Sequence, residues 1–456
     1  KFGFCSHFPY LCRMKQNREL IEKACRNLGI EALNEMQCAM LERSASADEI
    51  VLLSPTGSGK TLAFLLPLLT MIDPNRKGVQ ALILVPSREL ALQIDTVMRN
   101  IAAGIKVVCC YGGHSVREET KSLAVPPALL IGTPGRILDH IEREHLSLDG
   151  LQLLVLDEFD KCLELGFREQ MSAILRPLRS LRKRILTSAT DSAELPDFTG
   201  LRHPVKLDFL QKTADEPERS RLSLYRVDSP EKDKLDTLLS LLYNVEPGLT
   251  LVFCNQRESV ERVQRFLTTK GLISEAFHGG MEQPDRERAL IKFRNRSSYI
   301  CISTDLAARG LDISDVKHIV HYHLPSDEEA FIHRNGRTAR MHADGNAYLL
   351  VGPTETVPEY VSQIETFVPD SRKTGMALPP MATLHFAAGK REKLSKSDIL
   401  GFLIQQGGLT KEDVGMIDVK DHFSYVAVAR DKVHACMKKI APQKIKGKKV
   451  RIGFAL

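Results

Sequence analysis

Ile50-Val51-Leu52-Leu53-Ser54-Pro55-Thr56-Gly57-Ser58-Gly59-Lys60-Thr61 is the stretch that decides the fold. Four apolar residues predict a buried strand, and an apolar helical pattern follows Thr61. Between them, Gly57 and Gly59 let backbone N–H groups turn inward around phosphates, and the following helix N-terminus adds its positive end. In that setting Thr56, Gly57, Ser58 and Gly59 line a phosphate loop. Lys60 would reach the β- and γ-phosphates, and the Thr61 hydroxyl would hold Mg²⁺. Ser54 stands where the GxxxxGK[ST] pattern has its first Gly. A bare Gly/Ser turn is the plainer alternative, and the strand–loop–helix context disfavours it.

Outward from this loop, short apolar runs alternate with helical patterns. The runs are 50–53, 81–85, 107–111, 129–131, 153–156 and 185–186, then 249–253, 299–302, 318–322 and 347–351. Strands this apolar, spaced by helices, predict parallel sheets covered on both faces. A polar stretch at 211–219 (QKTADEPER) separates the two series and predicts two α/β lobes joined by a hinge. Tyr111-Gly112-Gly113-His114 and Phe277-His278-Gly279-Gly280 echo one another, as duplicated lobes would.

A phosphate loop alone does not separate kinases, GTPases, transporters and motors. Asp157-Glu158, at the end of run 153–156, narrows the choice. The first carboxylate suits Mg²⁺, and the second can orient and deprotonate an attacking water. Capping of the next helix is the plainer reading of the same pair. Pro86-Ser87-Arg88-Glu89, Gly112-Gly113, Thr133-Pro134-Gly135-Arg136 and Ser188-Ala189-Thr190 also follow predicted strands, at the edge where open parallel sheets bind ligands. The second lobe adds Thr304 to Asp312 and the run His333-Arg334-Asn335-Gly336-Arg337-Thr338-Ala339-Arg340. Its arginines, three apart, could stabilise transition-state charge on a phosphate.

Composition excludes other classes. The chain has 456 residues, too many for one hydrophobic core, and its 43% hydrophobic and 26% charged content excludes global disorder. Its longest apolar run, 62–72, is interrupted by Pro67 and falls short of the roughly 20 residues a bilayer requires. No membrane partner is expected. Residues 1–14 have apolar positions broken by Ser6, His7, Pro9 and Arg13, unlike a secretory signal, and the missing initiator Met suggests a trimmed product or fragment. Ten cysteines form no CxxC pair, so reduced thiols in a cytoplasm are expected rather than zinc or disulfides. From Met381 onward there are 15 Lys+Arg against 7 Asp+Glu, so the net +6 of the chain arises entirely there. That distribution points to a polyanion.

The ordered motifs over roughly 18–364 resemble a DEAD-box RNA helicase, whose signature tetrad is Asp157-Glu158-Phe159-Asp160 here. The resemblance implies two tandem RecA-like lobes, with ATP and Mg²⁺ as cofactors. It implies that Gln37 reads the adenine, Lys60 and Thr61 hold phosphate and Mg²⁺, Asp157 joins the Mg²⁺ shell, and Glu158 is the catalytic base. Ser188 and Thr190, with Asp160, would couple hydrolysis to strand separation. Asp312 would approach the ribose, His333 would help join the lobes, and Arg337 and Arg340 would act as fingers. RNA backbone contacts would fall to Pro86, Arg88, Gly113, Thr133, Gly135 and Arg136, and in the second lobe to Gln283, Arg286 and Thr304. The chain departs from the family pattern at Ser54, Ser87, Phe159, His323 and Ala339; none of these removes a charge from the ATP chemistry. Phe159 replaces Ala and is expected to strain its surroundings. His323 stands where an Asp commonly precedes Leu-Pro.

Beyond a Pro- and Gly-containing boundary at 368–381 the pattern changes to strand 383–387, helix 396–405, strands 414–419 and 423–429, helix 432–440 and strand 449–454. This βαββαβ order predicts a small α+β domain like an RNA-recognition motif. The tail resembles the C-terminal RNA-binding domain of the DbpA helicase group, which implies large-subunit ribosomal RNA as the partner. Phe423 and Tyr425 share one sheet face, expected to pack towards the helices rather than stack on bases. The more credible RNA contacts are Lys438, Lys439, Lys444, Lys446, Lys448, Lys449 and Arg451. The expected layout is a helicase lobe over 1–208, a linker at 209–219, a second lobe over 220–367, a linker at 368–381 and an RNA-binding domain over 382–456. A monomeric ATP-dependent RNA helicase in large-subunit assembly is the leading reading. A DNA-directed helicase and an RNA clamp with little turnover are the rivals.

Overall fold

A computed structural model describes residues 15–455, apart from 56, 103, 114–115, 179, 192–194, 211–221, 306–315, 339–344 and 363. Thr56, Asp312, Arg340 and the linker core 211–219 therefore lie outside the described residues.

Side-chain alternation builds the first sheet. Ile50, Leu52, Ile83, Ile131, Val155 and Ile185 enter one apolar cluster, while Val51, Leu53, Leu84, Leu130, Leu156 and Leu186 enter a second on the opposite face. Every strand residue in these runs is buried, so helices must cover both faces, which only parallel crossover connections allow. The observed spatial order is Val107–Cys110, Leu129–Gly132, Ala81–Leu84, Leu153–Leu156, Lys183–Ser188, Glu49–Leu53 and Val205–Asp208. All pairings are parallel. In register, Leu53 faces Ser188 and Leu84 faces Leu156, which brings the phosphate loop, the tetrad and Ser188 to one edge.

The second sheet repeats the design, in the order Ser274–Phe277, Ile300–Thr304, Leu249–Cys254, Val316–His321, Gly345–Val351, Leu222–Asp228 and Glu365–Thr366, again parallel throughout. The third is antiparallel, ordered Val414–Val419, Ser424–Ala429, Met381–Phe386 and Ile452–Phe454. Its helices, Lys396–Gln405 and Val433–Ile440, complete the expected βαββαβ order. The described residues divide into two compact units, one holding the first sheet and one holding the other two. Among the described residues no helix is long and apolar enough to cross a membrane.

Within the second unit the tail domain is bolted to the parallel-sheet lobe beside it. Thr383 Oγ1 meets Ser297 Oγ at 2.6 Å and accepts from Asn295 Nδ2 at 3.3 Å. The Arg430 guanidinium donates to the carbonyls of Pro379, Ser297 and Met381. Tyr425 is 7% exposed in a cluster with Ile291, Ala455 and half-buried Phe423. This corrects the expectation that Phe423 and Tyr425 face the tail's own helices. Val426 and Val428 do so instead, and Tyr425 is covered by the helix Gln283–Arg294.

Candidate functional site

The phosphate loop is shaped by two left-handed glycines, Gly57 (φ 85°) and Gly59 (φ 91°), a conformation glycine adopts without steric cost. Gly59 is the N-cap of helix Lys60–Met71 and makes no side-chain cap hydrogen bond, and the positive end of that helix opens onto the loop. Buried Lys60 donates to the carbonyls of Ser54 and Pro55, and Ser58 Oγ donates to Pro55 O at 2.8 Å.

Gln37 reaches this loop rather than standing apart from it. Its Nε2 donates to Gly59 O at 3.3 Å, and its Oε1 accepts from the Asn34 N–H at 3.0 Å. Asn34 caps the helix Glu35–Ser44 and donates to Ser58 O at 3.0 Å. The sequence reading missed Asn34, although Asn followed three residues later by Gln is a capping-box signature.

Asp157 leaves the end of strand Leu153–Leu156 wholly buried. Burial, then the neighbouring Glu158 charge, raises its pKa to about 7, while the Thr187 hydroxyl and Lys60 pull it back. Glu158 adopts a left-handed conformation (φ 47°), and its N–H reaches Asp157 Oδ1 at 3.1 Å and Thr187 Oγ1 at 3.2 Å. A non-glycine residue held at positive φ on a strand tip is strain of the kind that functional sites retain. A buried ammonium beside a buried carboxylate held partly towards neutrality suits a ligand supplying phosphate oxygens and a divalent cation. The donor set of Lys60, Thr61 and Asp157 fits Mg²⁺–nucleotide.

The expected coupling residues meet. Ser188 Oγ donates to Thr190 O at 2.7 Å, Thr190 N–H returns to Ser188 Oγ at 3.1 Å, and Thr190 Oγ1 donates to Asp160 Oδ2 at 3.4 Å. Phe159 is buried with Cys162, Met171 and Ile174, and its ring lies 6.2 Å from that of Phe198.

The expected RNA residues of the first lobe gather at the ends of adjacent strands. The Arg88 guanidinium lies across the glycine turn, and a Cβ on Gly113 (φ 79°) would come 2.1 Å from its Nη1. Pro86 and Thr133 are buried, and Gly135 is exposed. Arg136, expected to contact the RNA backbone, has a side chain that is 10% exposed and sits 3.4 Å from the carboxylate of Glu119.

In the second lobe, Gln283 opens the helix Gln283–Arg294 and donates to Glu287 at 3.0 Å, and Arg286 stacks over the Phe277 ring at 5.1 Å. Thr304 ends its strand half-buried. His333 is buried 3.7 Å from Glu329, and Arg337 is buried. Arg334, read from the sequence only as one of the arginines spaced three apart, is engaged within the second lobe. At 1% exposure its guanidinium holds both oxygens of Asp305 (2.6 and 2.7 Å), Asn255 Oδ1 (2.8 Å) and His323 O (2.7 Å). His323 accepts the Asn255 N–H on Nδ1 at 3.1 Å, and burial, then Lys234, lowers its pKa. A neutral imidazole thus serves as an acceptor there.

In the tail, Lys444, Lys446, Lys448 and Lys449 are exposed around a bridge between Ile445 and Lys448, with Gly447 at φ 76°. Lys446 is anchored, donating to Asp398 at 2.8 Å and Lys393 O at 2.9 Å.

Comparison with known proteins agrees with this arrangement. Family models match residues 34–198 (DEAD/DEAH box helicase), 233–342 (helicase conserved C-terminal domain) and 383–453 (DbpA RNA binding domain). The ATP-dependent RNA helicase DbpA of Escherichia coli (strain K12) is 33% identical over 443 residues, covering 93% of this chain and 95% of the relative. The Bacillus subtilis (strain 168) protein of that name is 29% identical over 470 residues, covering 95% and 97%. Among solved structures, S. cerevisiae Dbp5 bound to RNA and ADP BeF3 matches with a TM-score of 0.67 at 25% identity, over 78% of this chain and 94% of that one. The DEAD-box helicase Mss116 bound to ssRNA and UDP-BeF matches with a TM-score of 0.64 at 25% identity, over 78% and 79%.

Proposed function

Because the chain belongs to the DEAD-box ATP-dependent RNA helicases of the DbpA type, we propose that it separates short RNA duplexes with Mg²⁺–ATP and works on large-subunit ribosomal RNA. The enzyme is an RNA helicase that hydrolyses ATP. Bound Mg²⁺–ATP supplies the phosphoanhydride and the divalent charge. Lys60 and the N–H groups after Gly59 hold phosphate oxygens, and Thr61 and Asp157 hold the cation. Glu158 orients and deprotonates the water, while Arg337 and Arg340 stabilise developing charge. Asp312 meets the ribose, and Gln37 holds both the loop and the base.

One observation carries the coupling of hydrolysis to RNA. The hydrogen-bonded series Asp160–Thr190–Ser188 leaves the same strand end as Thr187, the partner of Asp157. A change at the carboxylates therefore reaches the Ser188–Thr190 turn through a single strand. Pro86, Arg88, Gly113, Thr133 and Gly135 of the first lobe contact the RNA backbone, as do Gln283, Arg286 and Thr304 of the second, and such contacts read no base. The tail lysines add affinity for one ribosomal region, raising its local concentration at the core.

The test compares RNA with DNA of the same sequence as activators of ATP hydrolysis, and measures release of a labelled strand from a short duplex. RNA-selective stimulation with ATP-dependent release, both lost in Lys60→Ala, supports the reading. Equal stimulation by DNA favours a DNA-directed enzyme, and nucleotide binding with no turnover at saturating RNA favours a clamp.

A further inference from the structure

Two of the first-lobe loops assigned to RNA share one buried carboxylate, and a third rests on one of them. Glu119, in helix Val116–Leu123, is 4% exposed, although its helix otherwise reads as charged and solvated. Its Oε1 accepts the Tyr111 N–H at 3.1 Å, the first amide after strand Val107–Cys110 and the start of the Gly112-Gly113 turn. Its Oε2 lies 2.7 Å from His140 Nε2 and 3.4 Å from Arg136 Nη1, both in helix Pro134–Glu142, which opens with the Thr133–Arg136 motif. Arg88, resting on Gly112 and Gly113, ties in the third loop.

His140 is fully buried, with its Nε2 hydrogen-bonded to the Glu119 carboxylate and its Nδ1 3.2 Å from His145 Nδ1. Cys110 Sγ also lies within 4.8 Å of the Glu119 and His140 ligand atoms. Yet Glu119 already bonds an amide and an imidazole, and the cation beside it, at 3.4 Å, is Arg136. The cluster is a charge-satisfied brace, not a metal cage.

We propose that Glu119 is a positioning residue for RNA binding, acting through Arg136 and the Tyr111 amide to hold the glycine turn and the Thr133–Arg136 loop in one register. Arg136 in this view is an internal strut and makes no phosphate contact of its own. The inference rests on the reading that these loops bind the RNA backbone. Its energetic logic is preorganisation: loops already in register lose less freedom when RNA binds.

The test uses the full chain with Glu119→Gln, Arg136→Gln and the double variant, after thermal unfolding has shown that each is folded. Each single variant is expected to raise the RNA concentration for half-maximal ATPase stimulation about tenfold. Turnover at saturating RNA and nucleotide affinity should stay within about twofold. The double variant should be no worse than either single one, because both cut the same strut. The slope of log affinity against log salt should not change. A slope about one unit shallower in Arg136→Gln alone would mean a direct phosphate contact and would overturn the proposal. Tighter or unchanged RNA binding in Glu119→Gln would overturn it too. Should Glu119→Gln not fold, Arg136→Gln against Arg136→Lys carries the test: binding restored by Lys with a constant salt slope supports the strut, and binding not restored overturns it. Arg88→Gln guards the premise. If it leaves RNA binding unchanged, the RNA face itself has been misassigned; if it weakens binding while Glu119→Gln does not, only the positioning role fails.

Discussion

The Thr187 hydroxyl donates to the buried Asp157 carboxylate across two adjacent parallel strands, Leu153–Leu156 and Lys183–Ser188. Thr187 lies one residue before the Ser188–Thr190 turn, so the end of the site proposed to hold the cation and the end proposed to couple to RNA share a backbone. Replacing it by the isosteric Val leaves a buried carboxylate short of one donor, at a cost of about 1–3 kcal/mol. Thr187→Val should therefore lower the urea midpoint and reduce RNA-stimulated turnover on the order of tenfold. Unchanged turnover in a folded variant would separate the pair from catalysis.

Gly113→Ala should weaken RNA binding selectively. The residue has positive φ, and its new methyl would meet the Arg88 guanidinium at 2.1 Å, so the arginine must leave the turn. Titration of ATPase with RNA should show a half-saturation raised several-fold, with nucleotide affinity unaltered.

The second lobe should be sensitive to acid. Burial, then Arg334, lowers the His321 pKa to about 3, and burial also lowers those of His278, His318 and His323. An unfolded imidazole titrates near 6.5, so between about 6.5 and 3 the unfolded chain binds a proton the folded chain refuses. Stability is full above that window and falls with pH through it, by up to about 1.4 kcal/mol per pH unit for one such group. Thermal midpoints at pH 7.5 and 5.5 should differ, and His321→Gln should narrow the difference.

Arg430→Gln should loosen the tail. Three carbonyls, including Ser297 O beside the second parallel sheet, lose a charged donor. A loss of about 2 kcal/mol is expected. Calorimetry should resolve a separate tail transition, while ATP hydrolysis without RNA persists.

Legibility in the sequence followed how local each cause was. Runs such as 50–53 and 153–156 are buried on both faces, so unbroken apolarity announced them. Val205–Asp208 and Leu222–Asp228 escaped notice because they alternate with outward polar residues, and the first lies at a sheet edge. Within the site, charged motif residues and glycines were readable, whereas Thr187 looked like an ordinary β-branched strand residue. Glu119 looked like one more charge on a solvated helix. Its spacing of four from buried Leu123 was the only local sign that it faces inward. The pairing of Phe423 with Tyr425 on one face was legible from alternation. Their cover, Ile291, comes from more than a hundred residues earlier and could not be read from local pattern.

The most direct test measures steady-state ATP hydrolysis without RNA, with an unrelated structured RNA, and with a large-subunit ribosomal RNA fragment. It is run on the full chain and on a variant with Lys444, Lys448 and Lys449 changed to Gln, since deleting the tail would uncover Ile291. Preferential stimulation by the ribosomal fragment, reduced to the level of the unrelated RNA in the variant, is the expected result. Equal stimulation by both RNAs in the unaltered chain would contradict the tail's ribosomal address, and no stimulation by either would contradict the helicase itself.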